Sequence, residues 1–235
     1  TASANVEVLV ANKDVVAGLQ LTGNALDNTI VGSDFNDVLN GGAGADVLKG
    51  GKGDDTYVID NVGDKIQDTS GVDEVRTSID MEKLANGLED LILFNGAVIG
   101  GGNNKANDIA VDAGNGATVT LYGYGGDDII TGSAQADSIF GGKGDDQLTG
   151  NGGADIFFLE KNGGVDTITD WNTGGNTLDI SDLLAKYDNL TDDLADFVSF
   201  ENVAGDVVVS VDIHGRGNFK EVAVLTGAAG DYADL

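Results

Sequence analysis

The sequence predicts an all-β fold, a parallel β-solenoid with two facing sheets, and three observations carry that prediction. Glycine makes up 37 of 235 residues and proline none, where average usage gives about half that share of glycine and about a dozen prolines. Glycine also recurs with a period of nine residues, and an apolar residue holds the eighth place of each period. A fixed short period marks a stacked repeat, in which each unit can bury its apolar side only against its neighbours.

Taken in order, residues 1–22 are expected to be a spacer strand region that leads into a first array at 23–76. Units open there at Gly23, Gly32, Gly41 and Gly50, with Asn28, Asp37, Asp46 and Asp55 sixth and Ile30, Leu39, Leu48 and Tyr57 eighth. The frame continues faintly through Asp64 and Ile66, then Asp73 and Val75. A spacer is expected at 77–101 and a second array at 102–169. The second array begins with Gly102, Asn107 and Ile109 and reopens at Gly114, Gly123, Gly132, Gly141 and Gly150. Its sixth residues are Val119, Asp128, Asp137, Asp146 and Asp155, and after two inserted residues the frame resumes with Asp166 and Ile168. Residues 170–235 are expected to close the open end. The alternation of Val207, Val209, Val211 and Ile213 predicts a half-buried strand with Val222 and Val224 on its hairpin partner. Leu183–Leu190 is expected to form a short helix capped by Ser181.

Each unit has a physical reading. Glycines at the first, second and fourth positions permit positive φ, so the first six residues make a tight loop with carbonyls turned inward. The last three, such as Val47-Leu48-Lys49, make a short strand whose middle side chain enters the core. With two units per turn, units eighteen residues apart lie one strand spacing apart, about 4.8 Å. Asp46 then sits between Asn28 and Asp64, Asp37 against Asp55, Asp55 against Asp73, Asp128 against Asp146 and Asp137 against Asp155.

Carboxylates so close repel unless a cation lies between them. The ligands on offer are hard oxygens in a flexible setting, which suits Ca²⁺ better than Zn²⁺ or Mg²⁺. One apolar side chain per unit buries too little surface to offset the ordering of the whole unit, so several calcium ions are expected to supply folding free energy. The calcium-free chain is expected to be a disordered polyanion.

With 40 acidic against 12 basic residues the net charge is −28, which makes nucleic acid and anionic membrane surfaces poor partners. The absence of cysteine removes disulfides, thiolate metal sites and thiol nucleophiles. No apolar run approaches the ~18 residues of a membrane span, and the start at Thr1 is read as that of a piece of something longer. Acids outside the frame, such as Asp192, Asp193 and Asp196, read as solvated surface, Trp171 as packing and His214 as a loop residue. Paired acids recur as parts of repeats, and no base, nucleophile and orienting group converge, so no enzyme is predicted.

"GGAGAD" at 41–46, "GGKGDD" at 50–55 and 141–146, and "GNGGAD" at 150–155 resemble the RTX nonapeptide GGxGxDxUx. That family's fold is the calcium-filled parallel β-roll, a right-handed solenoid. The resemblance implies Ca²⁺ between the loops of stacked turns, held by Asp46, Asp55, Asp146 and Asp155, and also by Asp37, Asp128 and Asp137. Loop carbonyls would complete each site, at Gly42, Gly44, Gly51, Gly53, Gly126, Gly142, Gly144 and Gly153. Asn28, Asp64, Asp73 and Asn107 extend the set through the fainter units, and Asp166 and Asp170 through the segment after the repeats. "GSDFND" and "GSAQAD" have Phe35 and Gln135 in place of the fourth glycine, which implies sites there that are weaker or empty.

The region from Gly152, "GGADIFFLEKNGGVDTITDWNTGGNTLDISDLL" and "FVSFENVAGDVVVSVDIHGRGNFKEVAVLTG", is similar to the C-terminal target domain of type I secreted proteins, above all large surface adhesins. Relatives carry a calcium loop where this chain reads "DIHGRGN", so no ion is expected at Asp212. The resemblance implies an extracellular or cell-surface module that partners the type I secretion machinery and folds when it meets outside calcium. Two other readings stay open: the accessory module of a secreted lipase, protease or alginate epimerase, and a module that binds cell-surface glycans itself.

Overall fold

The computed structural model describes residues 1–12 and 14–228, and nearly every element in them is a strand of three to six residues. Through each array successive strands alternate between two faces, as a period of two units per turn requires. On one face, Val8–Val10, Thr29–Val31, Val47–Lys49 and Lys65–Gln67 form a four-stranded parallel sheet. Further along, Ile99–Gly101, Thr120–Tyr122, Ser138–Phe140, Ile156–Phe158 and Thr177–Asp179 form a five-stranded one. The other face is a single sheet of twelve strands that starts at Gln20–Thr22 and ends in the C-terminal hairpins. The segments expected as spacers thus contribute strands of their own, and the stacking carries on to Asp179.

Register follows the repeat. Ile30 pairs with Leu48, Leu48 with Ile66, Leu39 with Tyr57, Ile130 with Leu148 and Ile139 with Phe157. These eighth-position side chains pack into one core, as the parallel β-solenoid reading requires. In the three-residue strands of the repeats the small cross-section takes one large side chain each, while the longer Thr56–Ile59 and Asp90–Leu93 bury two. Burying a Leu or Ile in such a place contributes about 2 kcal/mol over leaving it exposed.

The arrays meet at a step. Glu74–Thr77 lies directly beside Asp90–Leu93, Glu74 opposite Asp90, an offset of sixteen residues rather than eighteen. The chain between them forms an isolated bridge from Met81 to Gly100 on the far face, donates Leu84 N–H to the Gly101 and Gly102 carbonyls, and tucks Leu84 and Leu88 into the core. The four- and five-stranded sheets are therefore separate while the twelve-stranded sheet passes unbroken behind them.

At the C-terminal end, Lys220–Leu225 pairs in parallel with Asp166–Ile168 and antiparallel with Asp206–Val211, which pairs in turn with Val198–Val203. Val207, Val209 and Val211 are buried in the expected strand, which ends before Ile213, and on its antiparallel partner Ala223 and Leu225 are buried while Val222 and Val224 are half-buried; Trp171 packs in the core. The last part of the expected closing region, 229–235, lies outside the described residues. The helix expected at Leu183–Leu190 does not form; the segment is a run of turns. Leu183 N–H donates to Ile180 O and Tyr187 N–H to Leu184 O, three residues back. Asp179 accepts from Ser181 N–H, and Asp188 from Leu190 N–H. Short acidic side chains take the donors a helix would use.

Candidate metal centres

The sixth residues form rails along the edges of the solenoid. Asp128 Oδ1 accepts the backbone N–H of Asn107 at 2.8 Å, Asp146 that of Asp128 at 2.8 Å, and Asp166 that of Asp146 at 3.2 Å. Asn28, Asp46 and Asp64 are linked the same way, as are Asp37, Asp55 and Asp73, and Asp137 and Asp155. Each carboxylate is held by the coil before it, which is why the acid falls at a fixed position.

The second carboxylate oxygen divides the loops into two kinds. In the first kind, the residue at position two donates its N–H to that oxygen. Ser33 N–H reaches Asp37 Oδ2 at 2.5 Å and Ser133 N–H reaches Asp137 Oδ2 at 2.6 Å, with both serine hydroxyls adding bonds. Asn24 N–H donates in the same way to the side-chain oxygen of Asn28, Asn103 N–H to that of Asn107, and Asp60 and Asn61 N–H to Asp64. These loops are closed by their own backbone.

In the second kind, position two has positive φ, its N–H turns away, and Oδ2 is left without a partner. Among the described residues five such loops open, at Gly41, Gly50, Gly123, Gly141 and Gly150, with positive φ at Gly42, Gly51, Tyr124, Gly142 and Asn151 and again at Gly44, Gly53, Gly126, Gly144 and Gly153. Asp46, Asp55, Asp128, Asp146 and Asp155 each hold a fully buried Oδ2 that meets no donor, and Asp73 does so as well. An unpaired buried carboxylate oxygen costs several kcal/mol. Burial pushes Asp128 up to about 7 and Asp146 up to about 6 against the N–H bonds that oppose it. Asp55 and Asp155 rise to about 6 and Asp73 and Asp166 to about 7, burial again the largest cause.

The first-position glycine borders the same space. A Cβ on Gly41 would run into Asp46 Oδ2. One on Gly123 would collide with Asp128 Oδ2 and the Gly141 carbonyl oxygen. Glycine there leaves a cradle in which a carboxylate and a carbonyl of the next coil converge, a hard-oxygen donor set in flexible loops that fits Ca²⁺.

Two acids sit apart from this pattern. Asp170 accepts from Gly150 N–H at 3.1 Å and Asn151 N–H at 2.6 Å, so it clamps an open loop from outside. Asp212 accepts from the N–H groups of Asn218, His214 and Arg216, which hold its carboxyl down at about 2. Sequence reading did not single out Glu89 and Asn176 as rail residues, yet they extend the rails by accepting from Asp73 and Asp155 N–H. Neither falls on the nine-residue frame, because each follows an insertion or a shortened turn.

A family model described as the RTX calcium-binding nonapeptide repeat, in four copies, matches residues 22–57 and 120–158. Those two segments carry RTX calcium-binding nonapeptide repeats. The matched segments contain all five open loops, and RTX nonapeptide repeats bind calcium, so several Ca²⁺ ions are expected along the RTX rails. Such repeats form a structural calcium-binding fold rather than a catalytic one. No curated protein matches the chain.

Proposed function

We propose that this RTX chain is a calcium-driven folding module at the C-terminal end of a large type I secreted protein, a cell-surface adhesin. It threads the export channel unfolded and coils when external calcium fills the open loops. The observation that carries this reading is the set of six fully buried carboxylate oxygens with no hydrogen-bond donor among the described residues. A coiled chain at neutral pH leaves those oxygens charged and unpaired; a divalent ion at each cradle removes the cost and pulls the coil together. Asp46, Asp55, Asp73, Asp128, Asp146, Asp155 and Asp166 would hold the ions with the loop carbonyls, and Asp37, Asp137, Asn28, Asn107 and Asp64 would need none.

The C-terminal hairpins support the module's placement, since they cover the last coil as a terminal cap covers a solenoid. RTX repeats occur typically in secreted proteins, and among the described residues no helix is long and apolar enough to cross a membrane. Calcium titration followed by far-UV circular dichroism and hydrodynamic radius, with magnesium as control, tests the switch. The expected result is a cooperative gain of β signal and a fall in radius with calcium alone. A compact β-rich chain in metal-free neutral buffer would end the proposal.

A further inference from the structure

The last unit of the first array departs from the repeat at its first two positions: the second is Thr69, and the first, glycine in the complete motifs, is Asp68. The side chain enters the space that glycine leaves open. Asp55, Asp68 and Asp73 each offer a carboxylate oxygen, and the three lie within 4.8 Å of one another. Asp55 is 1% exposed and Asp73 fully buried, and both direct an Oδ2 into this space without meeting a donor. Tyr57, an eighth-position residue far larger than its Leu and Ile counterparts, reaches the same point. Its hydroxyl donates to Asp68 Oδ1 at 2.7 Å, and a Cβ on Gly50 would collide with both that hydroxyl and Asp55 Oδ2. None of the ion pairs among the described residues involves the three acids.

The place also differs from the rest of the rail. Asp68, Thr69, Gly71, Leu88 and Glu89 line a cavity of about 290 Å³ at the step between the two arrays, which gives an ion a route from solvent. We infer that Asp55, Asp68 and Asp73 form a three-carboxylate calcium site at the junction of the arrays, one that binds its ion more tightly than the repeat loops do. Affinity in oxygen-ligand calcium sites rises with the number of charged ligands. A third carboxylate also leaves one negative charge in excess after a divalent ion binds, which favours a trivalent one. The inference rests on the calcium reading of the open loops and adds to it a ligand that the repeat does not contain.

The test uses the full chain folded in calcium, then titrated with Tb³⁺ while emission sensitised by tyrosine is recorded, with Tyr57→Phe marking the share that Tyr57 contributes. The wild-type chain is expected to show a Tyr57-dependent phase that saturates first and needs the most calcium to reverse. Asp68→Asn is expected to weaken that phase about tenfold, the order of effect that ligand charge has on such sites, and to leave the later phases in place. Asp68→Gly, which restores the repeat residue, is expected to do the same and provides the reading if Asp68→Asn does not fold. A Tyr57-dependent phase with unchanged affinity in a folded Asp68 variant overturns the junction site while the open-loop reading stands. A wild-type chain that binds no calcium overturns both.

Discussion

Replacing Asp128 by asparagine should stabilise the metal-free chain and destabilise the calcium-bound one. Burial raises the Asp128 carboxyl from 3.8 to about 7 in the coiled state. A shift of about three pKa units corresponds to about 4 kcal/mol, at ~1.4 kcal/mol per unit, between the protonated and ionised forms. A carboxyl raised in the folded state contributes its full stability below its unfolded value, near pH 4, and loses it as pH rises through about 7. At neutral pH without metal, the wild-type coil therefore carries a deficit of up to about 4 kcal/mol that the Asp128→Asn variant would not carry. The geometry accepts the amide. Asparagine already stands at the same position in Asn28 and Asn107, where Oδ1 accepts from position two and Nδ2 donates to backbone carbonyls.

The assay is circular dichroism of metal-free chain at neutral pH, brought through its folding transition by an excluded osmolyte such as trimethylamine N-oxide. Asp128→Asn should coil at lower osmolyte than wild type. The advantage should shrink on acidification and vanish near pH 4, where the aspartic acid is no longer penalised by its burial. With calcium the order should reverse, the variant needing more of the ion because a charged ligand has been removed. An asparagine variant less stable than wild type in metal-free neutral buffer, or an advantage that does not change with pH, would refute the account of the cradle.

Leu148→Ala removes a fully buried side chain stacked between Ile130 and Ile168, and should cost about 2–5 kcal/mol. Since coiling and ion binding are linked, the loss should be read as a higher calcium midpoint with the final β signal unchanged. Asp55→Asn should raise the calcium midpoint and lower the number of ions counted by calorimetry, whereas Asp37→Asn should leave the number unchanged because Ser33 already satisfies its second oxygen. Gly142→Ala forces a side chain onto φ of +99° with its Cβ 2.6 Å from Tyr124 O, so urea midpoints in calcium should fall by the equivalent of about 1–2 kcal/mol or more.

Much of this was written into the order of residues. The sixth acid and eighth apolar residue place the rails and the core, since nine-residue spacing with two units per turn leaves those side chains no other location. The division into open and closed loops was half legible. Ser33 and Ser133 mark closed loops through hydroxyls that bond back to the acid, but Tyr124 and Asn151 occupy positive φ where glycine would be expected, and nothing local announces it. Asp68 passed as a faint copy of a repeat because the spacing shows which position is altered and not which neighbours converge on it. The helix expected at Leu183–Leu190 failed because apolar spacing says nothing of side chains such as Asp188 that compete for backbone donors.

The unbroken twelve-stranded sheet set against two shorter ones gives the molecule the mechanics of a beam notched on one flange. Flexing that opens the notch strains the irregular segment around Met81, Leu84 and Leu88, while flexing in other directions must shear paired strands. Under a pull along its length, the intact flange carries tension from the first coil to the terminal hairpins, and curvature gathers at the seam beside Asp68.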